Sequence, residues 1–406
     1  MDNSHAGLRR ALSLPLLVLY GLGVTIGAGI YVLVGAAAGR AGLYAPISFC
    51  VAALVMAPTA ASFAELTGRM PVSAGEAAFV RRGFNSRMLA LMVGLMVVAA
   101  GCVSAGAVVV GSSGYIRVFV NAPDWLVILC VVLAMGLAAA WGILESVSLA
   151  AVLTVIEVGG LLLIVSAALW FDPGLMARLG EVGPASADPA VWKGIFGASL
   201  LAFFAFVGFE DLVNVAEETR EPARTLPWAI LLTLTISTLI YFSVASVAVL
   251  SMPLGELAAS KAPLGDLFRA TTGGSPLVIS AIAIVATLNG IIVQMIMASR
   301  VLYGLADEGE LPAIFGSVNP RTQTPLFSTV VVVGIILVLA MAFPIVYLAE
   351  MTSRVTLSIF MLVNLALLRI KLGGEPAPKD AYLVGIWVPL AGFAGSLALL
   401  IGDLLH

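Results

Sequence analysis

Apolar residues fall along this chain in long blocks, cut by Gly, Pro and clusters of charge. The blocks span roughly 15–39, 43–67, 88–118, 125–142, 147–170, 194–216, 227–250, 276–304, 326–344, 347–369 and 382–403. A helix needs about 20 mainly apolar residues to cross the hydrocarbon core of a bilayer, and the blocks have that length. The pattern predicts an all-α polytopic membrane protein with about eleven transmembrane helices. No hydrophilic stretch exceeds roughly 25 residues, too few for a soluble domain with its own core. Residues 1–406 therefore read as a single transmembrane domain, and function has to sit among the helices.

Two blocks are interrupted. The run GLGVTIGAGIYVLVGAAAG, Gly21 to Gly39, is broken by Gly27-Ala28-Gly29 near its middle. Lipid leaves exposed backbone N–H and C=O groups unsatisfied, so a break at that depth survives only where protein, water or a ligand covers it. Taken alone, these glycines have a second reading: Gly23/Gly27 and Gly35/Gly39 fit the small-xxx-small spacing of closely packed helices. The sixth block, FFAFVGFEDLVNVAEETREPARTLP, carries Gly208 and the acids Glu210 and Asp211. Broken helices at corresponding positions of two five-helix halves are the trace of inverted-topology repeats, here about 15–170 and 194–369 with a further helix at about 382–403. The halves share no letter-level similarity, so the repeat is inferred from topology.

Composition narrows the chemistry. The chain is 61% hydrophobic and 11% charged, with mean hydropathy +1.10. Its only histidines, His5 and His406, are terminal, and Cys50, Cys102 and Cys130 lack metal-ligand spacing and read as small buried fillers. No metal, cofactor or nucleic-acid partner is expected, and no nucleophile–base constellation points to an enzyme. The first block runs on at spanning length, which predicts a retained span rather than a cleaved signal. Lys and Arg collect on one set of loops, including Arg9, Arg10, Arg69, Arg81, Arg82, Arg87, Arg220 and Arg224, so the positive-inside rule puts the N-terminus in the cytoplasm and, with an odd number of spans, the C-terminus outside.

Three segments, IGAGIYVLVG with FAELTGRMPVSAGE, FFAFVGFEDLVNVAEETREPARTLP, and ASRVLYGLADEGELPAIFGSVNPRTQTP, together resemble the amino acid–polyamine–organocation transporter superfamily. The resemblance covers nearly the whole chain. It implies the LeuT-type fold of two inverted five-helix repeats, with alternating access around a site between helices one, three, six, eight and ten, and it favours substrate binding as the reason for the first break. Thr25, Ile26, Gly27, Ala28 and Gly29 match positions whose backbone amides hold the substrate carboxylate, which suits the free N–H groups of a half-helix start. Phe204, Phe206, Val207 and Gly208 match positions whose carbonyls receive the ammonium, and Phe204 falls where relatives carry an aromatic gate.

Two acids are the candidates for proton coupling or gating. Glu210 lies at mid-helix depth, where an unpaired charge costs about 2.5–3.5 kcal/mol on insertion scales, and is expected to face the pathway. Glu157, in VLTVIEVGGLLLIV, stands in a stretch where several proton-coupled relatives carry a lysine. Sodium coupling is not expected, because Gly290 to Ala298 offers only Gln294 as a polar side chain. Glu65/Arg69 is read as an ion pair at the cytoplasmic end of helix two; Arg354, four residues after Glu350, is either an outer gate or a snorkelling cation. A twelfth helix, usual in the family, is not expected.

The function this implies is a secondary transporter in the cell membrane, moving a neutral amino acid with protons by alternating access. Amino acid exchange, and a non-transporting amino acid sensor on the same fold, are the alternatives; the oligomeric state stays open.

Overall fold

In hydrocarbon each backbone polar group has to be satisfied within its own segment, and every apolar block of the sequence is helical. The computed structural model describes residues 12–27, 29–70, 75–142, 147–184, 188–378 and 381–404. The first block forms α1 (Leu14–Ile26) and α2 (Gly29–Ala41), followed by α3 (Ala45–Arg69), the short α4 (Gly75–Phe84), α5 (Arg87–Ile116), α6 (Asp124–Trp141) and α7 (Val147–Phe171). After one turn, α8 (Leu175–Arg178), the sixth block forms α9 (Pro189–Phe204) and a 3-10 segment, Phe209–Glu218. Then come α10 (Pro222–Ser251), the short α11 (Leu254–Ala259) and α12 (Pro263–Thr272), α13 (Leu277–Asp307), α14 (Leu326–Ala342), α15 (Ile345–Leu372) and α16 (Trp387–Leu404). Among the described residues, eight helical segments are long and apolar enough to cross a membrane, and three shorter apolar helices accompany them.

Side chains bury into two clusters. One draws mainly on α1, α2, α3, α9, α10 and α15, with Tyr31, Phe49, Phe63, Phe203, Phe209 and Phe360 among its largest members. The other joins α5, α6, α13 and α14, and Leu33, Leu201 and Phe204 of the two broken helices reach into it. Between the halves of the chain, α2 packs on α9, α3 on α10, α5 on α13 and α6 on α14. Of the three cysteines expected to be buried, only Cys102 is; Cys50 is half-buried and Cys130 exposed. In a bilayer the outward face of a span is as apolar as its inward face, so an apolar run does not separate core from lipid surface.

Charged side chains close both ends of the bundle. At one end Glu65, fully buried, binds Arg69 at 2.8 Å and Lys371 at 2.7 Å and accepts the backbone N–H of Val384 at 2.8 Å, tying α3 to α15 and to the segment before α16. At the other, Arg40 pairs with Glu350, while Arg354 binds Asp403 of α16 at 2.6 Å and Glu350 at 3.4 Å. Arg354 is thus engaged in a network linking α2, α15 and α16.

Candidate functional site

Both interruptions read from the sequence are breaks in the structure. At the first, α1 ends on Ile26, Gly27 departs with φ −35° and ψ −76°, and α2 restarts at Gly29; Ala28 lies outside the described residues. At the second, the N–H groups of Ala205, Phe206 and Val207 each reach back three residues, at 3.1, 2.9 and 3.2 Å, tightening the end of α9. Gly208 then takes φ +123°, a conformation essentially reserved for glycine, and the chain continues as the 3-10 segment.

The breaks lie against each other. A Cβ on Gly29 would stand 2.3 Å from Cα of Ala205, and one on Gly208 would stand 2.9 Å from the carbonyl oxygen of Val24. The hydroxyl of Tyr241 on α10 lies 2.8 Å from the carbonyl oxygen of Thr25 and 2.7 Å from that of Ala205. A phenol has one proton to give, so this hydroxyl is shared between a carbonyl of each break.

Beside the breaks opens a small cavity, partly open on one side. Its walls come from Gly23, Val24, Thr25 and Gly29 at the first break, Phe204 and Val207 at the second, Ser104 and Val108 of α5, and Asn289, Gly290, Val293 and Gln294 of α13. It therefore lies between the two side-chain clusters. Among the described residues its lining carries no charged side chain; the polar ones are Thr25, Ser104, Asn289 and Gln294. The hydroxyl of Thr25 is buried and meets no hydrogen-bond partner among the described residues. The N-terminal end of α2, whose first N–H groups have no partner within the helix, favours an anion, and the carbonyl end of α9 favours a cation, so the walls suit a small zwitterion with an apolar body.

The acids occupy different ground. Glu157 on α7 is fully buried; its Oε1 accepts from Asn289 Nδ2 at 3.3 Å. Glu210 turns back on its own break, accepting the N–H of Gly208 at 2.9 Å, with Asp211 beside it and Glu76 of α4 near enough to repel both. Glu76 lies outside the spans; it is half-buried as a residue, and burial of its carboxyl pushes that group up to about 7.

Of the residues predicted from sequence, Thr25, Gly29, Phe204 and Val207 line the cavity. Ile26 and Phe206 are fully buried and do not line it, and Phe206 packs edge-on against Tyr241 with ring centroids 4.9 Å apart. Gly27 and Gly208 shape the breaks without lining the cavity, and neither Glu157 nor Glu210 is part of its wall. Sequence reasoning missed Tyr241, Asn289 and Ser104. Asn289 carried a signal, a polar residue in mid-span, one position before the stretch from Gly290 to Ala298.

The sequence profile of the amino acid permease family matches residues 12–402. The branched-chain amino acid permease of Bacillus subtilis is 28% identical, over 95% of this chain and 86% of that protein. A vacuolar cationic amino acid transporter of Arabidopsis thaliana is 30% identical over 89% of this chain, which spans only 60% of the plant protein. In three dimensions the chain is similar to the manganese transporter of Eremococcus coleocola, with a TM-score of 0.62 at 13% identity, covering 100% of this chain and 90% of that one. The likeness in structure concerns the fold alone.

Proposed function

The chain belongs to the amino acid permease family, a multi-pass membrane family of amino acid transporters, and from that premise we propose that it takes up a neutral amino acid together with protons by alternating access. The observation that carries the reading is the cavity between the two side-chain clusters, walled by both breaks and free of charged side chains among the described residues. Backbone groups at Thr25, Ile26, Gly27, Ala28 and Gly29 hold the carboxylate; those at Phe204, Phe206, Val207 and Gly208 receive the ammonium. Val24, Val108, Val207 and Val293 suit an aliphatic side chain. A lysine or arginine substrate would need a carboxylate in that wall, and the nearby Glu157 is fully buried behind Asn289. The kinship with a branched-chain permease agrees with this choice, the kinship with plant cationic transporters does not.

The same reading takes the architecture as two inverted five-helix repeats, about 15–170 and 194–369, with one further helix. Its support is the pairing of corresponding helices, α2 with α9, α3 with α10, α5 with α13 and α6 with α14, and a break at the head of each set. Glu157 and Glu210 are the acids assigned to coupling and gating, and the N-terminus is assigned to the cytoplasm by its positive loops.

The test is uptake into proteoliposomes of labelled L-leucine and L-arginine, with and without an inward proton gradient. Leucine should accumulate, faster with the gradient, and arginine should not. Preference for arginine overturns the neutral substrate; uptake that requires amino acid inside marks an exchanger; binding without uptake marks a sensor.

A further inference from the structure

Glu157 is held asymmetrically. Its Oε1 accepts from Asn289 Nδ2 at 3.3 Å, whereas its Oε2, equally buried, meets no hydrogen-bond partner among the described residues. Its backbone carbonyl accepts the hydroxyl of Tyr31 at 2.6 Å, which fixes the chain at that point. Asn289 is half-buried and is itself part of the cavity wall. One amide side chain therefore touches both the buried carboxyl and the space for substrate.

Among the described residues that amide is the side-chain hydrogen-bond partner of the Glu157 carboxyl. The titratable groups facing it are phenols, Tyr31 of α2 and Tyr241 of α10, with Tyr115 of α5 beyond Tyr31. Of the helices packed on α7, α1 carries no charge, α10 only Arg224 at its start, and α13 only Arg300 and Asp307 in its second half. The short α12 carries Asp266, which accepts from Ser260, and Arg269; α8 carries Arg178, which binds Glu181.

We infer that Asn289 is the positioning residue through which an occupied cavity acts on Glu157, an inference that rests on the proton-coupled reading above. A donated N–H stabilises an ionised carboxylate. An amino acid entering the cavity competes for the Asn289 amide, and Glu157, losing its donor, takes up a proton from the side to which the cavity is open. The converse follows by linkage: a protonated Glu157 releases the amide to the substrate, so each ligand tightens the other. The loaded carrier is then the protonated carrier, which is the sign symport needs. When substrate leaves, Asn289 returns to the carboxyl and the proton is released.

The test is equilibrium binding of tritiated L-leucine to the full chain in nanodiscs at pH 6 and pH 8, a range over which free leucine stays zwitterionic. In the unaltered chain affinity should be about fivefold or more weaker at pH 8, the lower end of usual coupling energies. Asn289→Ala and the smaller change Asn289→Ser should shift affinity uniformly while bringing the two pH values within about twofold of each other. Glu157→Gln, fixed in the neutral form, should flatten the profile as well. If both Asn289 variants keep the full pH dependence while Glu157→Gln loses it, the relay is wrong and the proton site stands. If Glu157→Gln keeps the dependence, or if the unaltered chain shows none or does not bind leucine, the underlying reading fails and the relay with it.

Discussion

The two breaks solve the same problem in different ways. At the second, the chain satisfies itself: three N–H groups fold back onto α9, and the fourth, on Gly208, is taken by the carboxylate of Glu210 two residues on. At the first, the carbonyl of Thr25 accepts from the Tyr241 hydroxyl, the hydroxyl of Thr25 meets no hydrogen-bond partner among the described residues, and α2 starts beside the cavity with N–H groups that have no partner within their own helix. A break has to be covered by protein, water or a ligand, and the second is covered in part by its own side chain. On the function proposed above, the first break is assigned to the substrate and the second to the gate.

The sharpest way to break this contrast is to wedge the two apart. Gly29→Ala puts a methyl 2.3 Å from Ala205 Cα, a backbone atom that cannot step aside, whereas at Gly27 the nearest atom to an added Cβ is the carbonyl oxygen of Gly23 at 3.2 Å. Overpacking of this kind costs about 1–3 kcal/mol or more. Gly29→Ala should lose leucine binding and lower the thermal midpoint, and Gly27→Ala should do so less. Equal tolerance of the two would mean that the breaks are not in register.

Tyr241→Phe comes next. It keeps the ring against Phe206 and Phe49 but removes the hydroxyl shared by Thr25 and Ala205, leaving buried carbonyls without a donor at a cost of about 1–3 kcal/mol. Leucine affinity should fall about tenfold, the equivalent of 1.4 kcal/mol, with the protein still monodisperse. An unchanged affinity would show that the breaks hold their geometry without the tie.

A smaller and more selective effect is expected at the gate. Glu210→Gln still offers an oxygen to the N–H of Gly208 but exchanges a charge-assisted hydrogen bond for a neutral one, which is roughly half as strong. Leucine binding and its pH dependence should persist, since Glu210 is not in the cavity wall, while proton-driven accumulation is lost and exchange of labelled for unlabelled leucine continues. Loss of the pH dependence of binding in this variant would move the proton from α7 to the second break.

How much of this the sequence carried depends on whether the signal is local. Helices in the bilayer follow from runs of apolar residues, so the long helices and both breaks were legible. The short α4, α11 and α12 were not, because their pattern is brief and their docking is set by neighbours distant in the chain. Glu157 announced itself as a charge in a span. Tyr241 did not: a tyrosine in LIYFSV reads as filler until residues 25, 205 and 241 are brought to one point. The direction of Gly29 was equally invisible, since sequence showed only that it had to be small and the structure shows that the neighbour is Ala205.

The smallest effect expected is none at all, on replacing sodium by choline at fixed pH. A hard cation wants a shell of several oxygens. On α13 the hydroxyl of Thr287 donates to Ala283 at 2.8 Å and that of Ser299 to Ile296 at 2.9 Å, so both are turned onto their own helix. Between the breaks, the carbonyls of Thr25 and Ala205 both face the Tyr241 hydroxyl, whose proton supplies the positive end they need. Leucine uptake should therefore be the same in either salt, and a saturable dependence on sodium would show that other carbonyls complete a site. Tyr241→Phe sharpens the point, because it frees these two oxygens. Sodium dependence that appears in that variant and not in the unaltered chain would mean that the hydroxyl stands where a cation otherwise would, and that the two breaks are tied by a fixed proton donor in place of an exchangeable ion.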